Sequence, residues 1–452
     1  MNRQPKAPPS LMIPPSARVT MSATRRSFLR NAAIGGALVT TPGLLAACGS
    51  DSGGGGGSDT KTVTFGVNEA KDSGPAYERM KGFADNYAKK SGVEVKANYV
   101  DHNTFQESIS TYLQGSPDDV FTWFAGFRMQ QFAEDGLLSD ISDLWPIDGM
   151  TDAFKGAATS SDGKQYLVPY DYYPWALFYK KSVFEKNGWT APTTFDDFNT
   201  LLKDMQGKGI TPFAFGDKDG WPAMGTFDIL NMRMNGYDFH IGLMAGKEKW
   251  TDPKVKAVFE AWKKLLPYYS DGGVGQKWQD ASTQLVQGKA GMYFLGTFAS
   301  QTFKGTDAEG DLAFFPFPTM GTSFDSELGI DAPIDGLLLS KAPKNLEGAK
   351  ALMECFSTGA AQQTYLAADP SNVAAAKDAD TSKYTPLQKA AADVIANSGA
   401  IAQFLDRDTI PAFAGPQGMQ PQLQSFIGNP DQDLDAYLQG IQDLWDQIAS
   451  EQ

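Results

Sequence analysis

The chain has few of the residues that usually carry metal or redox chemistry. Its 452 residues include two cysteines, Cys48 and Cys355, and two histidines, His102 and His240. Two histidines are too few for a histidine-rich metal site or a multi-histidine catalytic site. The sequence also lacks a phosphate-binding Gly-Lys-Ser/Thr loop and a Gly-x-Ser-x-Gly nucleophile elbow. We therefore expect no metal and no cofactor.

The N-terminal segment has the composition of an export signal. Residues 1–47 carry six basic and no acidic side chains, and residues 32–47 form an apolar run of small residues. Such a run is too short for a stable membrane span but suits a signal peptide. Residues 24–30 (TRRSFLR) match the twin-arginine export signal, which suggests that the chain folds before it is exported. The chain starts at Met1 or at Met21.

Cys48 ends the motif LAAC, which resembles the lipobox of bacterial lipoproteins. In a lipobox the cysteine takes a diacylglycerol and its amino group is acylated, which together anchor a protein firmly. The alternative is an ordinary cleaved signal with a cysteine present by chance. Five consecutive glycines follow at residues 53–57 and indicate a flexible tether. We predict a signal peptide over 1–47, a lipidated Cys48 with a tether over 48–59, and attachment to the outer face of the cytoplasmic membrane.

The exported part of the chain is strongly acidic. Residues 1–47 hold six of the 39 basic and none of the 53 acidic side chains, so their removal changes the net charge from −14 to −20. This charge argues against nucleic acid as a partner and against an anionic lipid surface as a docking site. Because no later stretch has the length of a transmembrane helix, the lipid is expected to be the only membrane contact.

The exported part alternates strand-like and helical patterns. Strand patterns lie at 62–67, 93–99 and 120–124, and amphipathic patterns lie at 75–90, 103–113 and 127–135. This order predicts a mostly parallel sheet that is covered by helices on both faces. A similar alternation begins again at residue 166. The predicted fold is therefore α/β, and the chain is long enough for two lobes.

Seven motifs occur in an order that is more specific than any one of them. They are PDDVFTWF at 117–124, GLLSDI at 136–141, GKQYLVPY at 163–170, FYKKSVF at 178–184, PTTFDDF at 192–198, KDGWP at 218–222 and GKAGMY at 288–293. Together they resemble the extracellular solute-binding proteins of ABC importers, in the group that includes the maltose-binding protein and many actinobacterial sugar binders. The resemblance covers residues 60–452.

The resemblance implies a class II periplasmic-binding fold with two lobes, a hinge and an interlobe cleft. The implied lobes are 60–169 with about 327–375, and 170–326 with about 376–452. In this family a solute closes the cleft, and the closed form docks on a membrane permease driven by a cytoplasmic ATPase. The chain would then be a monomeric binding protein and not an enzyme, with a carbohydrate ligand and ABC permease subunits as its partners.

Sugar rings have apolar faces and a rim of hydroxyl groups, so aromatic rings and carboxylates together suit a sugar site. The predicted ligand-binding residues are Glu69, Trp123, Asp171, Tyr173, Trp175, Asp219, Trp221, Phe298 and Asp335. The resemblance suggests Trp123, Phe298 and Asp335, with Asp331 less favoured. Tyr173 and Trp175 belong to an aromatic run that is also compatible with a buried strand. Each lone carboxylate could equally be a solvated loop charge.

Two other functions remain compatible with the residues. A glycosidase also places carboxylates around a sugar, and cleavage of an oligosaccharide by the purified chain would favour it. A sugar-sensing receptor would share the cleft but would not feed a transporter. An adjacent permease gene would favour import.

Overall fold

The computed structural model describes residues 61–451, which form twelve strands and seventeen α-helices. Cys48, the signal peptide and the tether lie outside the described residues. The strands are β1 (Thr62–Val67), β2 (Glu94–Tyr99), β3 (Val120–Phe124), β4 (Leu167–Tyr172), β5 (Trp175–Lys180), β6 (Thr211–Phe213), β7 (Ala290–Gly296), β8 (Leu312–Phe315), β9 (Ile330–Asp331), β10 (Ile334–Leu339), β11 (Val373–Ala374) and β12 (Ile401–Ala402).

The helices surround the sheets and connect their strands. They are α1 (Pro75–Ser91), α2 (His102–Gln114), α3 (Phe127–Glu134), α4 (Asp152–Ala157), α5 (Lys181–Asn187), α6 (Phe195–Gly207), α7 (Pro222–Asn235), α8 (Tyr237–Met244), α9 (Pro253–Leu265), α10 (Trp278–Val286), α11 (Leu346–Phe356), α12 (Gly359–Ala368), α13 (Pro386–Asn397), α14 (Leu405–Asp408), α15 (Pro411–Ala414), α16 (Met419–Gly428) and α17 (Leu434–Ser450). No helix among residues 61–451 is long and apolar enough to cross a membrane.

The first lobe is built on a sheet with the strand order β11-β4-β10-β3-β1-β2. β1 pairs in parallel with β2 and β3, as predicted. β10 pairs antiparallel with β3 and β4, and β11 pairs antiparallel with β4, so the sheet is mixed. The later strands are not joined to their neighbours by a βαβ crossover, which is the connection that makes neighbouring strands parallel. One core cluster includes Phe83 and Phe356, and another includes Phe105 and Phe121.

The second lobe is built on a sheet with the order β6-β7-β5-β8. β5 lies between β7 and β8 and is antiparallel to both, whereas β6 is parallel to β7. One large core packs this sheet against the surrounding helices, and its fully buried side chains include Trp250, Trp262 and Phe198. The final helix, α17, contributes Leu438, Ile441 and the largely buried Trp445 to this core, as the apolar stripe in its sequence predicts.

The chain passes between the lobes where strands of the two sheets follow each other closely. Two residues separate β4 of the first lobe from β5 of the second. β9 pairs in parallel with β12 just before β10 enters the first sheet. Tyr384 and Ala391 pack in the core of the first lobe, beyond the predicted limit at about residue 375. We therefore propose a lobe boundary nearer to β12, and the other predicted bounds stay predictions.

Local signals set the ends of two helices that border the space between the lobes. The Asp101 side chain accepts a hydrogen bond from the Thr104 N–H at 3.2 Å and caps α2. Pro222 opens α7, where its missing N–H is not needed. Gly220, just before this helix, has a φ of 76°, and a side chain there would collide with Gln420. Asp101 and Trp221 are thereby placed at helix starts that face the other lobe.

Candidate ligand-binding cleft

A cavity of about 220 Å³ lies between the two lobes. The first lobe lines it with Glu69, Ala70, Ser73, Ala76, Arg79, Asp101, His102, Asn103, Gln106, Phe124, Pro333, Asp335 and Asn372. The second lobe lines it with Tyr173, Trp175, Asp219, Trp221, Lys277, Trp278, Gln279, Phe298, Gln301, Phe404, Asp406 and Arg407. Many of these residues follow strand ends or start helices, which is where ligands bind in α/β folds.

The wall from the first lobe is polar and charged. Arg79 is buried, and its guanidinium lies 3.9 Å from Glu69, 3.7 Å from Asp171 and 3.3 Å from Asp369. Burial raises the pKa of Glu69 to about 7, although the positive charge of Arg79 acts in the opposite direction. Burial also lowers the pKa of His102. This wall therefore offers several hydrogen-bonding groups whose protonation depends on the closed environment.

Arg407 reaches from α14 of the second lobe into the first lobe. It donates hydrogen bonds to the Asp335 carboxylate at 2.9 Å and to the Ile334 carbonyl at 3.1 Å. It also donates to the Tyr173 hydroxyl at 3.0 Å, and its guanidinium lies 4.1 Å from the centre of the Phe124 ring. The bond to the carboxylate is charge-assisted, so it fixes Asp335 at the cavity wall and holds the lobes together there.

The wall from the second lobe is aromatic. Trp175 stacks on Phe404 with ring centres 4.7 Å apart and an angle of 26°. Phe298 makes edge-to-face contacts with Tyr173 at 5.5 Å, Trp221 at 5.9 Å and Trp278 at 5.1 Å. These contacts hold the rings in fixed orientations, so they form a preorganised apolar surface.

Trp175 is held in place by close packing against α7. A side chain at Gly225 would approach the Trp175 ring to 2.6 Å, so only glycine allows the helix to lie this close. β5 supplies Trp175 at its first residue, directly after the chain enters the second lobe. Trp175 was predicted to be either a ligand-binding residue or part of a buried strand. In the structure it is buried in a strand and also lines the cavity.

Several buried polar atoms on the cavity walls have no hydrogen-bond partner among residues 61–451. They are Arg79 Nε and Nη1, Trp175 Nε1, Trp221 Nε1, Asn372 Oδ1 and Asp406 Oδ1. A buried polar group without a partner is costly, so such groups in one cavity indicate that a ligand or water completes their bonding. The set contains four donors and two acceptors, and the other wall carboxylates add further acceptors.

Seven of the nine predicted ligand-binding residues line this cavity: Glu69, Tyr173, Trp175, Asp219, Trp221, Phe298 and Asp335. The tertiary structure brings them together from both lobes, although residues 69 and 335 are far apart in the sequence. Their contact with a ligand remains a proposal. Asp331, which was less favoured, is fully buried and does not line the cavity.

Trp123 does not line the cavity, so its predicted role as a stacking residue is wrong for this structure. It is 1% exposed, packs against Phe105 and Phe132, and donates a hydrogen bond to the Arg128 carbonyl at 3.3 Å. Its neighbour Phe124 lines the cavity instead. Side chains alternate between the two faces of a strand, so an error of one residue moves the aromatic ring to the opposite face.

Asp171 also lies behind the cavity wall. It is fully buried, and its carboxylate accepts hydrogen bonds from the Tyr365 hydroxyl and the Asn372 amide, both at 2.9 Å. Burial raises its pKa to about 7, although the charge of Arg79 opposes this shift. Asp171 orients Asn372, which does line the cavity. The prediction placed Asp171 on the cavity wall, whereas its side chain lies behind that wall. A strand pattern does not show which side chains from other elements lie in front of it.

Sequence reasoning did not identify several other wall residues. Arg79 lies on the buried face of α1, and no sequence pattern there indicates that an arginine belongs to a binding site. Arg407 and Phe404 come from a short segment without a recognised motif. Trp278 starts α10, and its position at a helix start was a usable signal that was not used. Among residues 61–451, no group of three or more His, Cys, Asp or Glu side chains could hold a metal ion.

Comparisons with known proteins agree with this architecture. A family model described as bacterial extracellular solute-binding protein matches residues 82–394. The solved structure of the bacterial solute receptor AcbH, described as having an exclusive preference for β-D-galactopyranose, is similar to this chain. The two share 39% identity with a TM-score of 0.83, over 86% of this chain and 99% of AcbH.

Two curated relatives also match most of the chain. An uncharacterised ABC transporter extracellular-binding protein of Pyrococcus horikoshii is 26% identical, over 80% of this chain and 84% of its own length. The multiple sugar-binding protein of Streptococcus mutans is 23% identical, over 76% of this chain and 82% of its own length. The similarity therefore extends over both lobes and the cleft between them.

Proposed function

This chain belongs to the bacterial extracellular solute-binding proteins, and we propose that it binds a neutral carbohydrate in the interlobe cleft and delivers it to the permease of an ABC importer. The relatives are binding proteins, and the proposal therefore includes no catalytic step. Glu69, Tyr173, Trp175, Asp219, Trp221, Phe298 and Asp335 are the proposed contacts.

The pairing of an aromatic wall with a polar wall carries this proposal. The rings of Trp175, Trp221 and Phe298 offer flat apolar surface for the C–H faces of a sugar. The opposite wall offers carboxylates and amides, which accept and donate hydrogen bonds in the plane of the hydroxyl groups. Each hydroxyl both donates and accepts, which suits the mixture of unpartnered donors and acceptors in the cavity.

The charges on the walls favour a neutral ligand. The cavity is lined by five carboxylates, Glu69, Asp101, Asp219, Asp335 and Asp406, and by three cations, Arg79, Lys277 and Arg407. Arg79 and Arg407 are already paired with carboxylates. An anionic sugar would therefore meet more negative than available positive charge. The sugar preferences described for AcbH and for the Streptococcus relative support the same ligand class.

The proposal places the protein outside the cytoplasm as a monomer, with its lipid on Cys48 as the membrane attachment. The family is extracellular, and the LAAC motif supports the lipid. The intact mass of the chain extracted from membranes tests this, because two or three acyl chains add a defined mass at the new N-terminus.

A panel of neutral mono- and oligosaccharides tests the proposed function. We expect at least one sugar to raise the melting temperature of the purified full chain by mass action and to change its tryptophan emission. Chromatography of the sugar after incubation should recover it unchanged. If no sugar in the panel shifts the melting temperature, the carbohydrate proposal is wrong, and if sugar is cleaved, the protein is a glycosidase.

A further inference from the structure

We propose that the closed cleft accepts a single sugar ring, because hydrogen bonds and ion pairs between the lobes occupy the wall where a longer ligand would extend. This inference rests on the proposed carbohydrate function and adds the size class of the ligand. The residues proposed to set the size limit are Gln301 with Asp369, and Arg128 with Asp406.

The first bridge joins the segment after β7 to the end of α12. Gln301 of the second lobe lines the cavity and donates a hydrogen bond to the Asp369 carboxylate of the first lobe at 2.8 Å. Lys304 donates to the Ala368 carbonyl beside it. Asp369 is 1% exposed and also faces Arg79, so its carboxylate is held on both sides. A ligand that passed here would have to separate a partly buried, charge-assisted contact.

The second bridge joins α3 of the first lobe to α14 of the second. Arg128 donates to the Asp406 carboxylate at 3.0 Å and to the Gln106 side-chain carbonyl at 2.5 Å. Asp406 and Gln106 both line the cavity. The side chains of Arg128 and Asp406 are 14% and 17% exposed, so this ion pair is largely shielded from water. The neighbouring Arg407–Asp335 pair bridges the lobes in the same region.

The cavity that Gln301, Gln106 and Asp406 line is small. Its volume of about 220 Å³ is below the range of roughly 300–1,000 Å³ that is typical of pockets for drug-sized ligands. A second sugar ring would need additional volume along the cleft. To obtain it, the lobes would have to stay apart, which would separate Asp369 from Gln301 and Arg128 from Asp406. Separating the largely buried Arg128–Asp406 ion pair without replacing either partner is unfavourable.

The bridging residues bind each other across the lobes, as the proposed contact Asp335 also does with Arg407. Phe298 and Gln301 lie in the same short segment, residues 297–302. A sugar packed on Phe298 therefore lies beside the residue that closes the cavity. This arrangement connects occupation of the cleft by one ring with formation of the Gln301–Asp369 bond.

Titration calorimetry with matched sugars tests the size limit on the full chain. The probes are galactose with lactose and melibiose, glucose with maltose and cellobiose, and xylose with xylobiose. We expect a monosaccharide to bind and each disaccharide that contains it to bind at least 100-fold more weakly. A disaccharide that binds as tightly as its monosaccharide overturns the inference but leaves the carbohydrate function in place. Binding of no sugar at all overturns both.

Two variants test which residues set the limit. Gln301→Ala and Arg128→Met each remove one bridge, and we expect each to reduce the monosaccharide preference at least tenfold. Lys81→Ala is the control, because Lys81 forms an exposed ion pair with Asp85 on α1. A preference that is unchanged in both bridge variants, with native melting behaviour, overturns the assignment of these residues. The two variants alter different elements, so misfolding of one leaves the other as the test.

Discussion

The two walls of the cleft differ in their composition and in the contacts that stabilise them. Six of the lining residues from the second lobe are aromatic, whereas the first lobe supplies Phe124 and otherwise mostly polar side chains. The aromatic wall is stabilised within its own lobe by ring contacts such as Trp175 with Phe404. The polar wall depends partly on the other lobe, because Asp335 pairs with Arg407. A preformed apolar surface therefore faces a wall that is completed only when the lobes meet.

The lobes also differ in the groups that surround their buried carboxylates. In the first lobe, Asp171 and Asp369 both lie near Arg79. In the second lobe, Asp217 is fully buried, accepts a hydrogen bond from the Ala223 N–H at 2.8 Å, and forms no ion pair among residues 61–451. Asp171 and Asp369 thus share a nearby cation that Asp217 lacks, although burial raises the pKa of both Asp171 and Asp217 to about 7.

The largest effect is expected from Asp335→Ala, which breaks the charged contact between the walls. It leaves the Arg407 guanidinium buried without its closest carboxylate. We expect the free energy of unfolding to fall by about 3 kcal/mol, which is the lower end of the range for a broken buried ion pair. The lower end applies because Asp406, 3.8 Å from Arg407 Nε, still places a negative charge beside the guanidinium. Urea denaturation without ligand measures this change.

The control for Asp335→Ala is Asp85→Ala, which breaks the exposed Lys81–Asp85 pair. Both of these side chains are about half exposed, so the loss should stay below about 1 kcal/mol. Similar losses in the two variants would show that the polar wall does not depend on its partner in the second lobe.

A smaller effect is expected from Trp221→Ala, which removes one ring of the aromatic wall. Affinity for a sugar identified in the panel should fall by about 1–3 kcal/mol, roughly 5- to 150-fold, because stacked apolar area is lost. Trp189→Ala is the matched control, since Trp189 is also half-buried in the second lobe but does not line the cavity. Equal affinity in the two variants would remove Trp221 from the proposed contacts.

The smallest effect is expected from Asp217→Asn, measured as the pH dependence of stability. Burial raises the pKa of Asp217 to about 7, above the value of an unfolded chain near 4. A raised acid pKa stabilises the fold below about pH 4, and this contribution is lost as the pH rises towards 7. Asparagine keeps the oxygen that accepts from Ala223 but carries no charge.

Denaturation at pH 6 and pH 7 compares Asp217→Asn with the wild type. The variant should gain about 1 kcal/mol relative to the wild type between these pH values, since one pKa unit corresponds to about 1.4 kcal/mol. Asp219→Asn, two residues away, provides the comparison for a carboxylate on the cavity wall. An identical pH profile for Asp217→Asn and the wild type would show that Asp217 is not the titrating group.

Local patterns were sufficient for much of the fold. The predicted helices from residue 75 and from residue 127 correspond to α1 and α3, and the predicted strand at 120–124 corresponds to β3. Their periodicities come from one face packing on a core, which a short stretch of sequence records. The antiparallel pairing of β10 with β3 and β4 could not be predicted in this way, because those strands lie more than a hundred residues earlier in the chain.

The candidate site shows the same limit at finer scale. Trp221 and Asp219 were identified because a Gly-Pro loop presents them at a helix start. Trp123 was chosen in place of Phe124, because residue spacing located the strand but not the face that turns towards the cleft. Arg407 was not predicted, because its place on the cavity wall depends on its hydrogen bond to Asp335, which lies 72 residues earlier in the chain.

The sequence by itself determined the two-lobed α/β family, the acidic charge of the exported part and most of the aromatic residues at the cleft. Periodicity, motif order and net charge are properties of the chain before it folds. The tertiary structure decided which side of each strand meets the cavity, which carboxylates are paired with arginines, and how far the cleft extends between the lobes. These features depend on distances of a few ångströms between residues that are remote in sequence, and only folding brings them together.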